Sequence, residues 1–200
     1  MNILSRPIYK IGLTGGIGAG KTTVIEIFKT LGIPTFNSDQ CGRNILLNDK
    51  GVIKNTIQLF GKSILKKNKI DTIKLGKIVF DDKSKLHNLN KIIHPCVLQK
   101  FNEWAIQQTK KYIIKESALL FESGTYKMLD KIILVKAPIH LRIKRVRSRD
   151  GKSSKEVMKI INNQVKEKDI IKHVDYVINN NEKTLLVQKI IRLDRVLSSL

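Results

Sequence analysis

The stretch Gly15-Gly16-Ile17-Gly18-Ala19-Gly20-Lys21-Thr22 constrains this chain more than any other part of it. It fits G-x-x-x-x-G-K-[ST], a loop whose backbone wraps a phosphate. Glycine admits backbone angles that a Cβ would block, so successive N–H groups can turn inward on an anion. Ile8 to Thr14, just before the loop, is an apolar run and reads as a buried strand. Val24, Ile27, Phe28 and Leu31 follow at i, i+3, i+4 and i+7, the stripe of an amphipathic helix that Gly32 closes. A helix starting near Lys21 aims its positive dipole end at the same place. Strand, glycine loop and helix together predict a nucleoside triphosphate site. Gly16, Ile17, Gly18, Ala19, Gly20, Lys21, Thr22 and Thr23 line it, with Lys21 on the β/γ oxygens and the Thr22 hydroxyl on Mg²⁺.

The rest of the chain alternates strand-length apolar runs with helical periodicity, which indicates an α/β protein. Ile33 to Asn37, Tyr112 to Ser117, Lys131 to Lys136 and Asp175 to Asn179 read as strands, giving a central parallel sheet of about five strands flanked by helices. Residues from about 40 to 109 read as mostly helical, with breaks near Asn48, Gly61, Asn68–Asp71 and Pro95. That stretch exceeds what a crossover needs and could form a lobe of its own. Pro138 to Arg149 and Ser153 to Gln164 read as helices joined at Asp150-Gly151, a hairpin able to act as a lid over about 145–170. Leu186, Ile190, Leu193 and Leu197 mark a closing helix.

At 200 residues, 42% hydrophobic and 28% charged, the composition is that of one globular domain. It excludes a disordered, collagen-like or fibrous chain, and no run is long enough to span a membrane. Met1 to Lys10 lacks the long apolar stretch of a secretory leader. Cys41 and Cys96 show no metal-ligand spacing and read as free thiols of a reducing, cytoplasmic setting. The net charge of +21 has two readings. One is a polyanion partner such as nucleic acid. The other is drift in an A/T-rich genome, since Lys, Ile and Asn share A/T-rich codons and the lysines are spread along the whole chain. The second predicts no specific nucleic acid partner.

Phosphate loops serve several chemistries. Asp39-Gln40-Cys41-Gly42 and Asn68-Lys69-Ile70-Asp71 match D-x-x-G and N-K-x-D of a GTPase. Too few residues separate Lys21 from Asp39 to hold a helix, a strand and a switch loop, and Lys66-Lys67 before Asn68 do not end an apolar strand. A small-molecule kinase fits better. Asp39 lies just beyond the second strand, which is expected beside the first, so its carboxylate falls at the sheet edge that carries the loop. It could accept a hydroxyl proton or hold Mg²⁺, or it could, with Ser38, only cap a helix. Arg142, Arg145 and Arg149 lie at i, i+3 and i+7, with Ile139, Ile143 and Val146 as the core stripe beside them. These guanidiniums could neutralise a transferring phosphoryl group, or form a solvated face. Pro95 at the first position of a helix would push His94 out of the α region, as a cap or as a projecting substrate contact.

In order along the chain, these pieces resemble the dephospho-CoA kinases. Ile11 to Thr23 looks like that family's opening. Asn37-Ser38-Asp39 is similar to its D-A-D segment, Ile92-Ile93-His94-Pro95 to I-x-H-P, and Leu119-Leu120-Phe121-Glu122 to the end of P-L-L-F-E. Arg145 through Asp150-Gly151, with Ser154 and Gln164, looks like its lid, and Asp175 to Asn180 like its late D-Y-V-I-x-N segment near the adenine. The resemblance implies a P-loop kinase fold with a helical substrate lobe and a helical lid. It implies ATP and Mg²⁺, and transfer to the 3′-hydroxyl of dephospho-CoA. Asp39, Lys21 and Arg149 would be catalytic, Thr22 and Asp39 would hold metal, Arg145 and Asn180 would meet ATP, and His94, Leu120 and Glu122 the acceptor. The alternatives are another P-loop nucleotide or nucleoside kinase and, behind it, a basic nucleic-acid-binding ATPase. Two departures stand out: Asn37 replaces the first aspartate of D-A-D, and Ala118 replaces the proline before Leu-Leu-Phe-Glu.

Overall fold

The structure, a computed structural model, describes residues 8–80 and 82–200. Met1 to Pro7, most of the segment read above as unlike a secretory leader, lies outside the described residues. Along the chain run β1 (Tyr9–Thr14), α1 (Lys21–Thr30), β2 (Thr35–Asn37), α2 (Ser38–Asn48), α3 (Lys50–Phe60), β3 (Leu65–Lys66) and β4 (Lys69–Ile70). Then come α4 (Thr72–Phe80), α5 (Lys83–Ala105), β5 (Tyr112–Glu116), β6 (Lys131–Lys136), α6 (Ile139–Asp150), α7 (Ser154–Asn163), α8 (Glu167–Ile170), β7 (Tyr176–Asn179) and α9 (Leu186–Ser198). The chain divides into two compact units. One comprises the described residues up to Asn37 together with Gln108–Leu200, and the other is Ser38–Gln107.

The first unit is built on a parallel sheet in the order β2-β5-β1-β6-β7. The order corrects one expectation: β2 is not beside β1, because β5 lies between them. Burial explains the order. All five residues of β5 are buried, as suits a strand covered on both faces, while short β2 is only half-buried and takes the edge. On one face Ile11, Leu13, Ile114, Ile133, Val135 and Ile178 pack with Val24, Ile25 and Phe28 of α1 and with Ile190 and Leu197 of α9. Burial of this kind stabilises by roughly 25 cal/mol per Å² of apolar area. The phenol of Tyr112 donates to Asp194 Oδ1 at 2.6 Å, tying β5 to α9, and burial together with that carboxylate pushes its pKa up.

The second unit, Ser38–Gln107, has its own core of Leu46, Val52, Ile64, Ile70, Leu75, Val79 and Leu89. Here α5 packs against α2, α3 and α4. Two expectations change. Leu65-Lys66 and Lys69-Ile70 pair as an antiparallel hairpin, turned by Lys67 (φ 50) and Asn68 (φ 61), so Asn68 to Asp71 is more than a break between helices. Asp71 then opens α4 by accepting from the N–H groups of Ile73 and Lys74, each at 3.0 Å. α5 runs unbroken for 23 residues with Pro95 inside it, so His94 is neither a cap nor a projection from a break. An internal proline costs about 3 kcal/mol. Packing of α5 against three helices outweighs that cost.

No helix among the described residues is long and apolar enough to cross a membrane.

Candidate active site

β1 ends at Thr14 and α1 begins at Lys21, so the six residues between form a loop at the C-terminal end of β1. Gly18 (φ 73) and Gly20 (φ 95) hold left-handed angles that other residues adopt at a cost. The N–H of Ala19 returns to the carbonyl of Gly16 at 3.1 Å, closing the turn. No side chain caps α1, and its first turn carries no acidic residue. The opening N–H groups of any helix lack intrahelical acceptors, so this end turns donors and a positive dipole toward the loop. Lys21 Nζ donates to the carbonyl of Gly15 at 2.8 Å, which keeps the ammonium over the loop. Thr22 and Thr23 are exposed in the first turn.

The loop is held from behind by side chains of α6, of Gln164 just past α7 and of the segment after β7. Arg142 Nε donates to the carbonyl of Ile17 at 2.8 Å, and Ile17's N–H donates to Gln164 Oε1 at 2.9 Å. Arg142 Nη2 reaches the same oxygen at 3.2 Å. Arg145 Nη1 donates to the carbonyls of Gly18 and Ala19 at 3.2 and 3.4 Å, and Asn180 Nδ2 to that of Ala19 at 3.0 Å. A larger residue would also displace these holding side chains: a Cβ on Gly16 would strike the Arg142 guanidinium, and one on Gly20 the Asn180 amide. Burial lowers the pKa of Arg142, with Glu167 acting the other way. Its five donors are why it can lie inside at all. This arrangement corrects the expected packing of α6. Arg142 is buried and Ile139 exposed, so the core stripe of that helix includes a guanidinium and omits an isoleucine. The triplet spacing was visible in the chain, but its inward direction was not.

Glu116 closes β5 beside Leu13 of β1 and Asn37 of β2, and is buried. Asn37 Nδ2 donates to Glu116 Oε2 at 2.8 Å. Leu120 is fully buried, with its methyl over Gly12, while the next carboxylate, Glu122, is exposed. A cavity of about 720 Å³ opens against the loop, lined by Gly15, Gly16, Glu122, Arg142 and Gln164 among others.

Three expected residues remain: Arg149 in the first unit, and Asp39 and His94 in the second. Arg149 is exposed near the end of α6, where Nε and Nη2 grip both carboxylate oxygens of Asp150 at 2.7 and 2.8 Å. The pair raises the guanidinium's pKa and lowers the carboxyl's. In Ser38–Gln107, Ser38 and Asp39 lie inside the first turn of α2 rather than at its cap, and Asp39 is exposed. His94 is half-buried within α5. Among the described residues no group of three His, Cys, Asp or Glu side chains could hold a metal ion. Mg²⁺ keeps several waters and takes one or two protein oxygens alongside substrate phosphates, so it does not need such a group.

Three comparisons bear on this arrangement. The family model described as dephospho-CoA kinase matches residues 9–185. A dephospho-CoA kinase of Fusobacterium nucleatum subsp. nucleatum is 41% identical over 172 residues, covering 86% of this chain and 89% of that protein. Among solved structures, a dephospho-CoA kinase from Campylobacter jejuni superposes with a TM-score of 0.67 at 28% identity, covering 95% of this chain and 97% of that one. A protein from Thermus thermophilus superposes with a TM-score of 0.84 at 28% identity, covering 96% and 98%.

Proposed function

The chain belongs to the dephospho-CoA kinase family, and from that membership we propose how its own residues carry the family's reaction, ATP-dependent phosphorylation of the 3′-hydroxyl of dephospho-CoA, the last step of coenzyme A synthesis. The observation that supports the assignment of roles is the glycine loop, held from behind by Arg142, Arg145 and Asn180 in front of an uncapped helix. The loop N–H groups and Lys21 bind the triphosphate and balance its charge. The bond between the terminal phosphorus and the ADP oxygen breaks, a bond to the acceptor's 3′-oxygen forms, and Asp39 takes the hydroxyl proton. Arg149 exchanges Asp150 for the transferring phosphoryl group. Thr22 and Asp39 would hold Mg²⁺, which when bound neutralises phosphate charge.

Ser38–Gln107 is the acceptor lobe, with His94 among its contacts. Leu120 acts by packing on Gly12, which fixes Phe121 and Glu122 at the cavity. The stretch over about 145–170 is the lid. The protein works in the cytoplasm and has no specific nucleic acid partner.

The test offers dephospho-CoA, AMP, UMP and nucleosides in parallel, with ATP and Mg²⁺, and follows ADP release. Release with dephospho-CoA alone supports the assignment. Release with a nucleotide and not with dephospho-CoA replaces it with the alternative kinase reading.

A further inference from the structure

Gln164 stands just past α7 and meets the phosphate loop from the lid side. Its carboxamide oxygen accepts from the Ile17 N–H at 2.9 Å and from Arg142 Nη2 at 3.2 Å. Both partners are obligate donors, so the oxygen must face them and the nitrogen must face away. That nitrogen has no hydrogen-bond partner among the described residues, and it is not a buried atom. Gln164 also lines the cavity that Gly15 and Gly16 line. The carboxamide is thus pinned by one end, in a fixed orientation, at the loop that binds phosphate, with two N–H donors to spare.

We propose that Gln164 is a further catalytic residue, whose Nε2 donates a hydrogen bond to an oxygen of the terminal phosphoryl group of ATP. The inference rests on the phosphate-site reading above. Pinning is what makes the donor effective. A side chain free to rotate must lose entropy to make such a bond, whereas this amide is already oriented before the nucleotide arrives. One residue then serves two ends: its oxygen fixes the peptide of Ile17, and its nitrogen meets charge that spreads over the equatorial oxygens during transfer. ADP, which lacks that phosphoryl group, gains nothing from Nε2.

Two substitutions separate the ends. Gln164→Glu keeps an oxygen for Ile17 and Arg142 but removes the donor. Gln164→Leu removes both without adding charge. With dephospho-CoA and Mg²⁺, each variant is expected to lose about 10-fold or more in kcat, and Gln164→Glu up to about 100-fold. ADP affinity, measured by titration calorimetry, is expected to stay within about threefold of wild type for Gln164→Glu, which also shows that the variant is folded. Gln164→Glu turning over within about threefold of wild type would overturn the proposal and leave the oxygen latch alone. So would a loss confined to Gln164→Glu, since the introduced charge would then be the cause. So too would a parallel fall in ADP affinity. Wild-type enzyme that phosphorylates no dephospho-CoA would instead strike the functional reading itself.

Discussion

Asn37 Nδ2 and Glu116 Oε2 lie 2.8 Å apart, at the registered C-terminal ends of neighbouring strands β2 and β5. The asparagine stands where the D-A-D segment has its first aspartate. An amide can donate to the buried carboxylate, as an ionised aspartate cannot.

Asn37→Asp sets two carboxylates against each other, and the like charge raises the pKa of one of them. The folded state then holds a proton that the unfolded chain releases above about pH 4. Stability therefore rises as pH falls, over a window from the raised value down to that of the unfolded chain. The variant is expected to be about 1 kcal/mol less stable than wild type at pH 8, with a smaller gap at pH 5. Urea unfolding in chelator at both values checks this. A gap independent of pH would show that the two side chains do not interact.

Arg142→Met removes the donor to the Ile17 carbonyl and one of the two donors to Gln164. A hydrogen bond to a charged group contributes about 1.5–3 kcal/mol. The variant is expected to lose about 2 kcal/mol in urea unfolding, and to bind ADP about 10-fold more weakly because the loop loses its backing. Unchanged ADP affinity would mean the loop keeps its shape without the clamp.

Asp39→Asn separates a helix-end role from catalysis. Loss of an acidic group from the first turn of α2 costs about 0.3–1 kcal/mol through the helix dipole, so the variant should fold. A general base contributes roughly 10²–10⁴-fold, so turnover is expected to fall by about 100-fold or more while ATP binding persists. Retention of more than about a third of wild-type turnover would remove Asp39 from the role of base and shift attention to Glu116.

Arg149→Lys keeps the charge and loses the planar fork that now grips Asp150. Slower phosphoryl transfer in a protein of unchanged melting temperature is the expected outcome. Unchanged steady-state kinetics would leave Arg149 as the surface partner of Asp150.

The local chemistry of the chain was enough to locate the nucleotide loop, the amphipathic α1, the five sheet strands and the closing helix. Each of these is written in spacing over a few residues: glycines where φ must be positive, apolar positions at period 2 or 3.6. The order of motifs likewise pointed to the family that the comparisons show. Other features depended on residues far apart in sequence. β5 enters between β1 and β2 because it is the strand fit to be covered on both faces, a property relative to its neighbours that no single stretch displays. Pro95 reads locally as a break, yet α5 continues because packing along its length outweighs one lost hydrogen bond. The inward turn of Arg142 and the pinning of Gln164 arise only when the fold brings loop carbonyls and N–H groups, left without partners by the glycine turn, against α6 and the end of α7. A buried polar group takes its direction from the partner that satisfies it. Such partners are chosen by tertiary structure.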